Sequence, residues 1–221
     1  MCGRFTLTAS GEELAEAFGL DDRPELAPRY HIAPTQPVAV VRAGAPGSGR
    51  TLSLLRWGLL PRATAEPKRP LINARSETVS SVPSFREAFA RRRCLIPASG
   101  FFEWAGAGKK RQPWYFRMAS GRAFALAGLW EPPFDPVEAP TATILTTEPN
   151  EITRPVHDRM PVILAPGDYA RWLDPQAAGL GALRPLLLPF PAQDMIAYPV
   201  EVVVNDPRHD DPSCITPSSL M

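Results

Sequence analysis

Cysteine is scarce in this chain of 221 residues, which holds only Cys2, Cys94 and Cys214. Three cysteines without a CxxC spacing cannot build the paired framework of a disulfide-rich domain, and they lack the ligand spacing of a zinc site. We therefore expect no metal ion and no cofactor. Cys94 and Cys214 are expected to be chemically inert.

Long apolar runs are absent as well. No segment approaches the roughly 18 apolar residues of a membrane-spanning helix. The N-terminus also lacks the basic flank and the apolar core of a secretory signal. We expect a cytoplasmic protein.

Neither sign of charge is in excess, since the net charge is only +1. The charges are nevertheless unevenly spread along the chain. Residues 1–122 hold 19 Lys and Arg against 10 Asp and Glu, whereas residues 123–221 hold 5 against 13. The basic first part suits a polyanion, unless the two parts interleave in the fold and the asymmetry averages out.

Proline, by contrast, is abundant. The 27 prolines are more than twice the usual share of about 5%, which favours short strands and irregular loops over long helices. Helical and strand-like patterns are mixed without repeated strand-helix-strand units. We predict one domain spanning residues 1–221, with an α+β fold built on a largely antiparallel sheet.

Local patterns predict individual elements. Ser10 begins a capping-box pattern before a short helix that Gly19 should end, and Ser84 begins a second one before a helix that ends in arginines. Residues 38–41 and 52–57 read as a hairpin. Further strands are predicted at 94–97, 100–104, 114–117, 123–130, 141–147 and 200–204, and helices at 166–172 and about 176–188.

The N-terminus carries the most reactive group of the chain. Removal of Met1 leaves Cys2 with its thiol and its α-amine on adjacent carbons. The reference pKa is about 7.7 for the amine and about 8.5 for the thiol, so both nucleophiles are expected at neutral pH. Such a residue can transfer acyl groups, or it can condense with an aldehyde to an imine that closes to a thiazolidine.

Glu103 lies in a strand-like run of large apolar residues, Phe101, Phe102 and Trp104. Burial there would raise the pKa of the carboxyl group and suit it to proton transfer near pH 7. Simple strand alternation, with Glu103 facing solvent, is the other interpretation.

Two further segments carry polar groups suited to chemistry. Asn73 and Arg75 would share one face of a strand, where the amide could orient a substrate and the guanidinium could bind a phosphate. His157 is followed by an acid and a base in a segment between two prolines, and it is a candidate general acid or electrophile stabiliser. The plainer interpretations are a surface turn for the first segment and a surface loop for the second.

Taken together, these segments resemble the SRAP (SOS-response-associated peptidase) family. Seven motifs carry the resemblance across nearly the whole chain: MCGRFT at 1–6, YHIAPT at 30–35, RWGL at 56–59, NARSET at 73–78, GFFEW at 100–104, AGLW at 127–130 and HDRMP at 157–161. The resemblance implies a barrel-like sheet core flanked by short helices.

The resemblance also implies a function. A protein of this kind recognises abasic sites in single-stranded DNA and traps the ring-opened sugar aldehyde as a thiazolidine crosslink, which it can also reverse. The implied roles are nucleophile for Cys2, contact with the sugar for Asn73, proton transfer for Glu103 and stabilisation of the opened sugar for His157. Arg4 and Arg75 would hold flanking phosphates.

Other implied properties concern activity and partners. They are autopeptidase removal of Met1, lyase-type chemistry, a part in the SOS response and DNA repair, and a monomer associated with the nucleoid or the replication fork. Abasic single-stranded DNA is the implied partner, with no metal ion.

The chain departs from the family pattern in three places. His31 replaces a frequent asparagine, Arg62-Ala63 replaces a Ser-Trp pair, and His209 stands where asparagine is expected. If the missing tryptophan normally wedges into the stack of DNA bases, we expect this protein either to bind DNA more weakly or to use Trp57 or Phe101 instead. We assign no role to His209 from the sequence.

Two alternatives stay open. A class II glutamine amidotransferase also begins Met-Cys-Gly, but Arg4-Phe5 and the lack of an Asn-Gly-Asp-like segment count against it. A non-covalent module that binds single-stranded DNA would leave Cys2 incidental. It would bind intact and abasic DNA equally, and salt would fully reverse the binding.

Overall fold

The computed structural model describes residues 2–45, 48–61, 69–106, 111–133, 139–177 and 180–218. Their strands are β1 (Arg4–Leu7), β2 (Arg29–Ile32), β3 (Pro37–Ala43), β4 (Arg50–Trp57), β5 (Asn73–Arg75), β6 (Arg93–Ala98), β7 (Gly100–Ala105), β8 (Gln112–Met118), β9 (Phe124–Glu131), β10 (Thr141–Thr147), β11 (Met160–Pro161), β12 (Ile163–Leu164) and β13 (Met195–Pro199). The α-helices are α1 (Gly11–Phe18), α2 (Pro83–Arg91), α3 (Tyr169–Leu173) and α4 (Leu180–Leu183). Short 3-10 helices lie at Pro166–Asp168, Arg184–Leu187, Ala192–Asp194, Val202–Asn205 and Pro212–Ile215.

The strands form two sheets. The first has the order β13-β8-β7-β1-β2 and is antiparallel throughout. In the second, β10, β4, β3, β6 and β9 follow one another and β9 pairs again with β10, which closes a barrel. Only the pairings of β10 with β4 and β5 are parallel among those described. The predicted α+β fold with a largely antiparallel, barrel-like core and short helices is confirmed.

Apolar side chains fill the space between the two sheets. Phe5 of the first sheet meets Trp57 of the second edge-on, with 5.2 Å between ring centroids. The opposite face of the first sheet is covered by the C-terminal segment, which packs Val204 and Cys214 over Tyr115. Gly100 leaves room for this packing, because a Cβ there would lie 2.3 Å from the Tyr115 ring. The first sheet is therefore buried on both faces.

Helix α1 begins and ends as predicted. The Ser10 side chain accepts a hydrogen bond from the backbone N–H of Glu13 at 3.2 Å, and Gly19 terminates the helix at φ 61° and ψ 52°, a conformation that favours glycine. The reciprocal half of the capping box is not formed. The Glu13 carboxylate instead accepts from the backbone N–H of Ala123 at 3.0 Å and ties the helix to the start of β9.

Helix α2 corrects one prediction and supports another. It starts at Pro83 rather than after Ser84, since proline suits the first helical turn, where its missing N–H is not needed. The predicted match between arginines and the helix C-terminus is confirmed. The Arg93 guanidinium donates to the carbonyls of Phe89 and Ala90 at 2.6 and 2.8 Å.

The predicted strand at 200–204 is wrong. Val202–Asn205 forms a 3-10 helix in which Val204 is buried and Val202 is 60% exposed, and Val200, which precedes the helix, is buried as well. A run of valines matches a strand pattern, but the two valines that are buried here, Val200 and Val204, lie four residues apart. The predicted helix at 176–188 is shorter than expected, because only 180–187 is helical in the described residues.

The basic and acidic parts of the chain interleave. Strand β10, from the acidic part, pairs with β4, β5 and β9, and β13 pairs with β8. The charge asymmetry along the sequence therefore does not separate into two lobes. Across the described ranges, no helix is long and apolar enough to span a membrane.

Candidate active site

Cys2 and Asn73 are joined by a hydrogen bond at the edge of the barrel. Cys2 lies two residues before the start of β1 and is fully buried, and Asn73 is the first residue of β5. The Asn73 Nδ2 group donates to the Cys2 carbonyl at 2.9 Å and to the Ile72 carbonyl at 2.6 Å. Asn73 Oδ1 is buried without a hydrogen-bond partner among the described residues. The amide thus fixes the Cys2 backbone and keeps an acceptor for a ligand hydroxyl.

Glu103 is buried, with only 4% of its surface exposed, so the solvent-facing interpretation is wrong. Both faces of β7 are covered. The first four residues of the strand, up to Glu103, are therefore all buried although their side chains alternate between the two faces. Burial raises the pKa of the Glu103 carboxyl group to about 7, and the charge of Asp158 acts in the same direction. At neutral pH this group can both donate and accept a proton.

His157 faces Glu103. Its Nε2 lies 3.8 Å from Glu103 Oε2. Its Nδ1 lies 3.0 Å from the backbone nitrogen of Arg159 and 2.9 Å from Asp158 Oδ1. The neutral ring accepts the Arg159 N–H at Nδ1, whereas a protonated ring would donate to Asp158. Burial lowers the pKa of His157, which favours the neutral form with the proton on Nε2. That N–H is directed at the Glu103 side of the site.

Burial raises the pKa of the Cys2 thiol well above its ordinary value, and the negative charge of Glu103 adds to the effect. The chain carries Met1, so the Cys2 nitrogen is a peptide nitrogen here. The thiolate fraction expected from the reference pKa concerns the chain without Met1 and stays a prediction. Burial also raises the pKa of Cys94, so what distinguishes Cys2 is its position beside Asn73 and Glu103.

An ion pair that the sequence did not reveal connects two of the motifs. Arg159 donates to the Glu77 carboxylate from its two terminal guanidinium nitrogens, at 2.5 and 2.9 Å. It also donates to the Thr146 carbonyl at 2.6 Å. The hydrogen bond from Arg159 lowers the pKa of Glu77. The pair holds the segment of Asn73 against the loop of His157. The 82 residues between the partners leave no local signal for it in the sequence.

Arg4 and Arg75 occupy different parts of the surface. Arg75 is exposed at the end of β5, and the half-buried, buried, exposed pattern of this strand places it on the face of Asn73, as predicted. Arg4 is opposite Phe102 in the sheet and so points away from the face of Glu103. Its guanidinium carbon lies 5.8 Å from the Trp104 ring centroid.

The stacking role predicted for Trp57 and Phe101 is not compatible with this structure. Both side chains are 0% exposed. Trp57 donates from Nε1 to the Ile72 carbonyl at 2.9 Å, and Phe101 stacks on Phe116 with 5.0 Å between centroids. Neither ring offers a face to a base, and Trp57 instead supports the backbone next to Asn73. The departure at Arg62-Ala63 lies outside the described residues.

Comparison with known proteins places the chain in a family. The family model described as SOS response associated peptidase (SRAP) matches residues 1–207. The chain belongs to the SRAP family. The abasic site processing protein YoqW of Bacillus subtilis is 40% identical over 97% of this chain and 99% of its own length. The abasic site processing protein HMCES of Gallus gallus is 30% identical over 100% of this chain and 79% of its own.

The fold is shared with solved structures as well. A protein from Bacteroides thetaiotaomicron superimposes with a TM-score of 0.85 at 25% identity, over 98% of this chain and 100% of its own. Within this SRAP chain, the family match ends at Pro207. The segment beyond it is nonetheless well anchored: the Asp210 carboxylate accepts from the backbone N–H groups of Tyr30 and His31 at 2.6 and 2.8 Å and pairs with Arg29.

Proposed function

We propose that this chain processes abasic sites in single-stranded DNA by forming a thiazolidine crosslink through Cys2. The observation that carries the proposal is one cluster, in which Asn73 holds the buried Cys2 and His157 lies 3.8 Å from the buried carboxyl group of Glu103, whose pKa is raised to about 7. The names of the relatives, which are abasic site processing proteins, support the choice of substrate.

The chemistry begins with the N-terminus. Removal of Met1, the step that the autopeptidase label of the family describes, converts the Cys2 nitrogen into an amine. The amine adds to the aldehyde carbon of the ring-opened sugar, and loss of one water gives an imine. The thiol sulfur then bonds to the same carbon, its proton leaves, and the imine nitrogen takes up a proton. The net result is a five-membered ring and one released water.

The buried position of Cys2, which disfavours a thiolate, supports this order of steps. A protonated thiol is a poor nucleophile toward an aldehyde, whereas a protonated imine is a much stronger electrophile. Glu103 suits both proton transfers, because a carboxyl group with a pKa of about 7 is present in both forms at neutral pH. It donates a proton to the departing hydroxyl group and accepts one from the thiol. The same transfers run backwards account for reversal of the crosslink by a lyase-type step.

His157 and Asn73 would hold the opened sugar. The Nε2–H of His157 is a donor to a sugar oxygen, and the buried Oδ1 of Asn73 is an acceptor for a sugar hydroxyl group. Arg75 lies exposed two residues from Asn73 and suits a flanking phosphate. Arg4, on the other face of the sheet, suits a second phosphate if the DNA crosses the end of the sheet. A flexible single strand can make this turn.

The test uses purified protein and single-stranded DNA with one abasic site, followed by denaturing electrophoresis. Wild-type chain is compared with Cys2→Ala and with Cys94→Ala, which removes an equally buried thiol away from the site. We expect a denaturation-resistant adduct in wild type and Cys94→Ala and none in Cys2→Ala. Absence of any adduct from a chain with exposed Cys2, with salt-reversible binding that is equal for intact and abasic DNA, would contradict the proposal.

A further inference from the structure

A continuous set of polar contacts links Arg4 to the C-terminal segment through His31. His31 is fully buried in β2. Its Nε2 lies 2.5 Å from Nη1 of Arg4, and its Nδ1 lies 2.8 Å from the backbone carbonyl oxygen of His209. The two positions at which this chain carries an unexpected histidine are therefore in direct contact.

These contacts require one protonation state of His31. A guanidinium can only donate and a carbonyl can only accept, so Nε2 must accept from Arg4 while Nδ1–H donates to His209. This is the neutral ring with its proton on Nδ1. Burial lowers the pKa of His31, which keeps the ring neutral at pH 7. A second proton would sit on Nε2 and point at a cation.

The charged groups around the ring come from two elements. Arg4 approaches from β1, whereas the carboxylates of Asp206 and Asp210 approach from the C-terminal segment, in which His209 contributes its backbone carbonyl. Asp210 binds the backbone N–H of His31 rather than its ring. The remaining neighbour in ring contact is Phe102, 5.9 Å away between centroids. No carboxylate is hydrogen-bonded to the imidazole in the described residues, so a protonated ring would have no anionic partner there.

Arg4 is held in one orientation by its surroundings. Trp104 lies beneath the guanidinium, and its Nε1 donates to Asn205 Oδ1 at 2.7 Å, which fixes the indole. A guanidinium has five N–H donors, and His31 takes one of them. The others can serve a phosphate. A side chain fixed in advance loses less conformational entropy on binding, so its orientation adds to affinity.

We propose that His31 is a positioning residue for DNA binding: its neutral ring fixes Arg4 toward a phosphate, and protonation of His31 releases Arg4 and weakens binding. The inference rests on the proposed function for the identity of the ligand, a phosphate of single-stranded DNA. The direction in which acidification changes DNA affinity distinguishes this inference from a simple effect of net charge. Added positive charge alone strengthens binding of a polyanion, whereas loss of positioning weakens it.

Two substitutions separate the contacts of His31 without introducing a titrating group. In His31→Gln, the amide oxygen reaches the place of Nε2 and can still accept from Arg4. In His31→Asn, the shorter amide reaches only the place of Nδ1 and keeps the contact with His209. As a matched control, His209→Gln removes a neighbouring imidazole but leaves the backbone carbonyl that His31 uses.

The measurement is the Kd for intact single-stranded DNA, by fluorescence anisotropy at constant ionic strength, between about pH 7.5 and about pH 4.5. This range extends below the ordinary titration of histidine because the pKa of His31 is lowered. Near pH 7.5, we expect His31→Gln to bind like wild type and His31→Asn to bind about fivefold more weakly, as Arg4→Ala does. On acidification, wild type and His209→Gln should lose affinity relative to His31→Gln by about threefold or more.

Identical pH profiles for wild type and His31→Gln would overturn the inference. The same conclusion would follow if Arg4→Ala, in which His31 has nothing to position, showed the wild-type profile. This second comparison decides the question even if the His31 variants do not fold. Crosslinking of abasic DNA by the same wild-type preparation is scored separately. Its failure would count against the proposed function, while the pH comparison on intact DNA would still decide the role of His31.

Discussion

The imidazole of His157 faces the carboxyl group of Glu103, with 3.8 Å between Nε2 and Oε2. Burial raises the pKa of Glu103 to about 7 and lowers that of His157. Near pH 7 the carboxyl group is therefore present in both protonation states, whereas the imidazole favours its neutral form. Such a pair can exchange protons with a substrate at little cost in free energy.

Replacement of Glu103 by glutamine should slow crosslink formation. The amide keeps the size of the side chain but can neither accept the thiol proton nor donate one to the departing water. We expect a decrease of about 100-fold in the single-turnover rate, which is the usual contribution of a general acid or base. Quenched time points on denaturing gels measure the rate. Glu16→Gln, an exposed position on α1, is the control, and an equal decrease there would show a nonspecific effect.

The same substitution should stabilise the fold at high pH. Because the pKa of Glu103 is raised from 4.5 to about 7 in the folded chain, the folded state binds a proton that the unfolded state releases between these values. Stability therefore falls as pH rises from about 4.5 to about 7. Above that range Glu103→Gln should gain on the order of 3 kcal/mol in unfolding free energy, and below it nothing. Denaturant titrations at several pH values measure this difference. A gain that does not depend on pH would contradict the burial of an ionisable carboxyl group.

Loss of the Glu77–Arg159 pair should loosen the site more than it destabilises the fold. Glu77 is 43% exposed, so Glu77→Gln should cost no more than about 1 kcal/mol of unfolding free energy. Since the pKa of Glu77 is lowered, that contribution is present above its usual range and is lost as pH falls through the lowered value. Crosslinking should slow severalfold, because the pair connects the segments of Asn73 and His157.

The control for this prediction is an exposed ion pair away from the site. Glu12 and Arg23 lie 3.3 Å apart, with both side chains at least 70% exposed. Glu12→Gln should change neither the unfolding free energy nor the crosslinking rate. If the two glutamine variants crosslinked at the same rate, the positioning role of Glu77 would be wrong.

Asn73 and Arg75 should affect different steps although they share one strand face. Asn73→Ala removes the donor to the Cys2 carbonyl and should slow trapping at saturating DNA by about tenfold, with the Kd for intact DNA unchanged. Arg75→Ala should raise that Kd by about threefold and leave the saturated trapping rate unchanged. Anisotropy and single-turnover kinetics give the two quantities. The same pattern in both variants would contradict this division.

Sequence patterns predicted the elements that depend on local signals, and they failed where distant segments meet. Ser10 and Gly19 delimit α1 as expected, because a cap and a left-handed glycine act within one turn. Residues 100–104 alternate like a half-exposed strand. The C-terminal segment covers the face of Phe102, however, while Phe101 on the other face packs into the core between the two sheets. Both faces are therefore covered, and Glu103 is buried on the face of Phe101.

The reactive groups of the candidate site were predictable from the sequence, but the contacts that hold them in place were not. Cys2, Asn73, Glu103 and His157 are polar residues in distinctive motifs, and family resemblance brought them together. The partner of Glu77 lies 82 residues away, and the contact of His31 with His209 spans 178. Pairings of this kind depend on which strands adjoin, which a single sequence does not reveal.

The most direct test of the account is the intact mass of the adduct with abasic single-stranded DNA, with and without borohydride, followed by mapping of the linked peptide. A thiazolidine at Cys2 predicts a mass equal to chain without Met1 plus DNA minus one water, no gain of hydrogen on reduction, and linkage to the N-terminal peptide. An adduct that gains two hydrogens on reduction, or one linked to a lysine elsewhere, would be a simple imine and would contradict the thiazolidine mechanism.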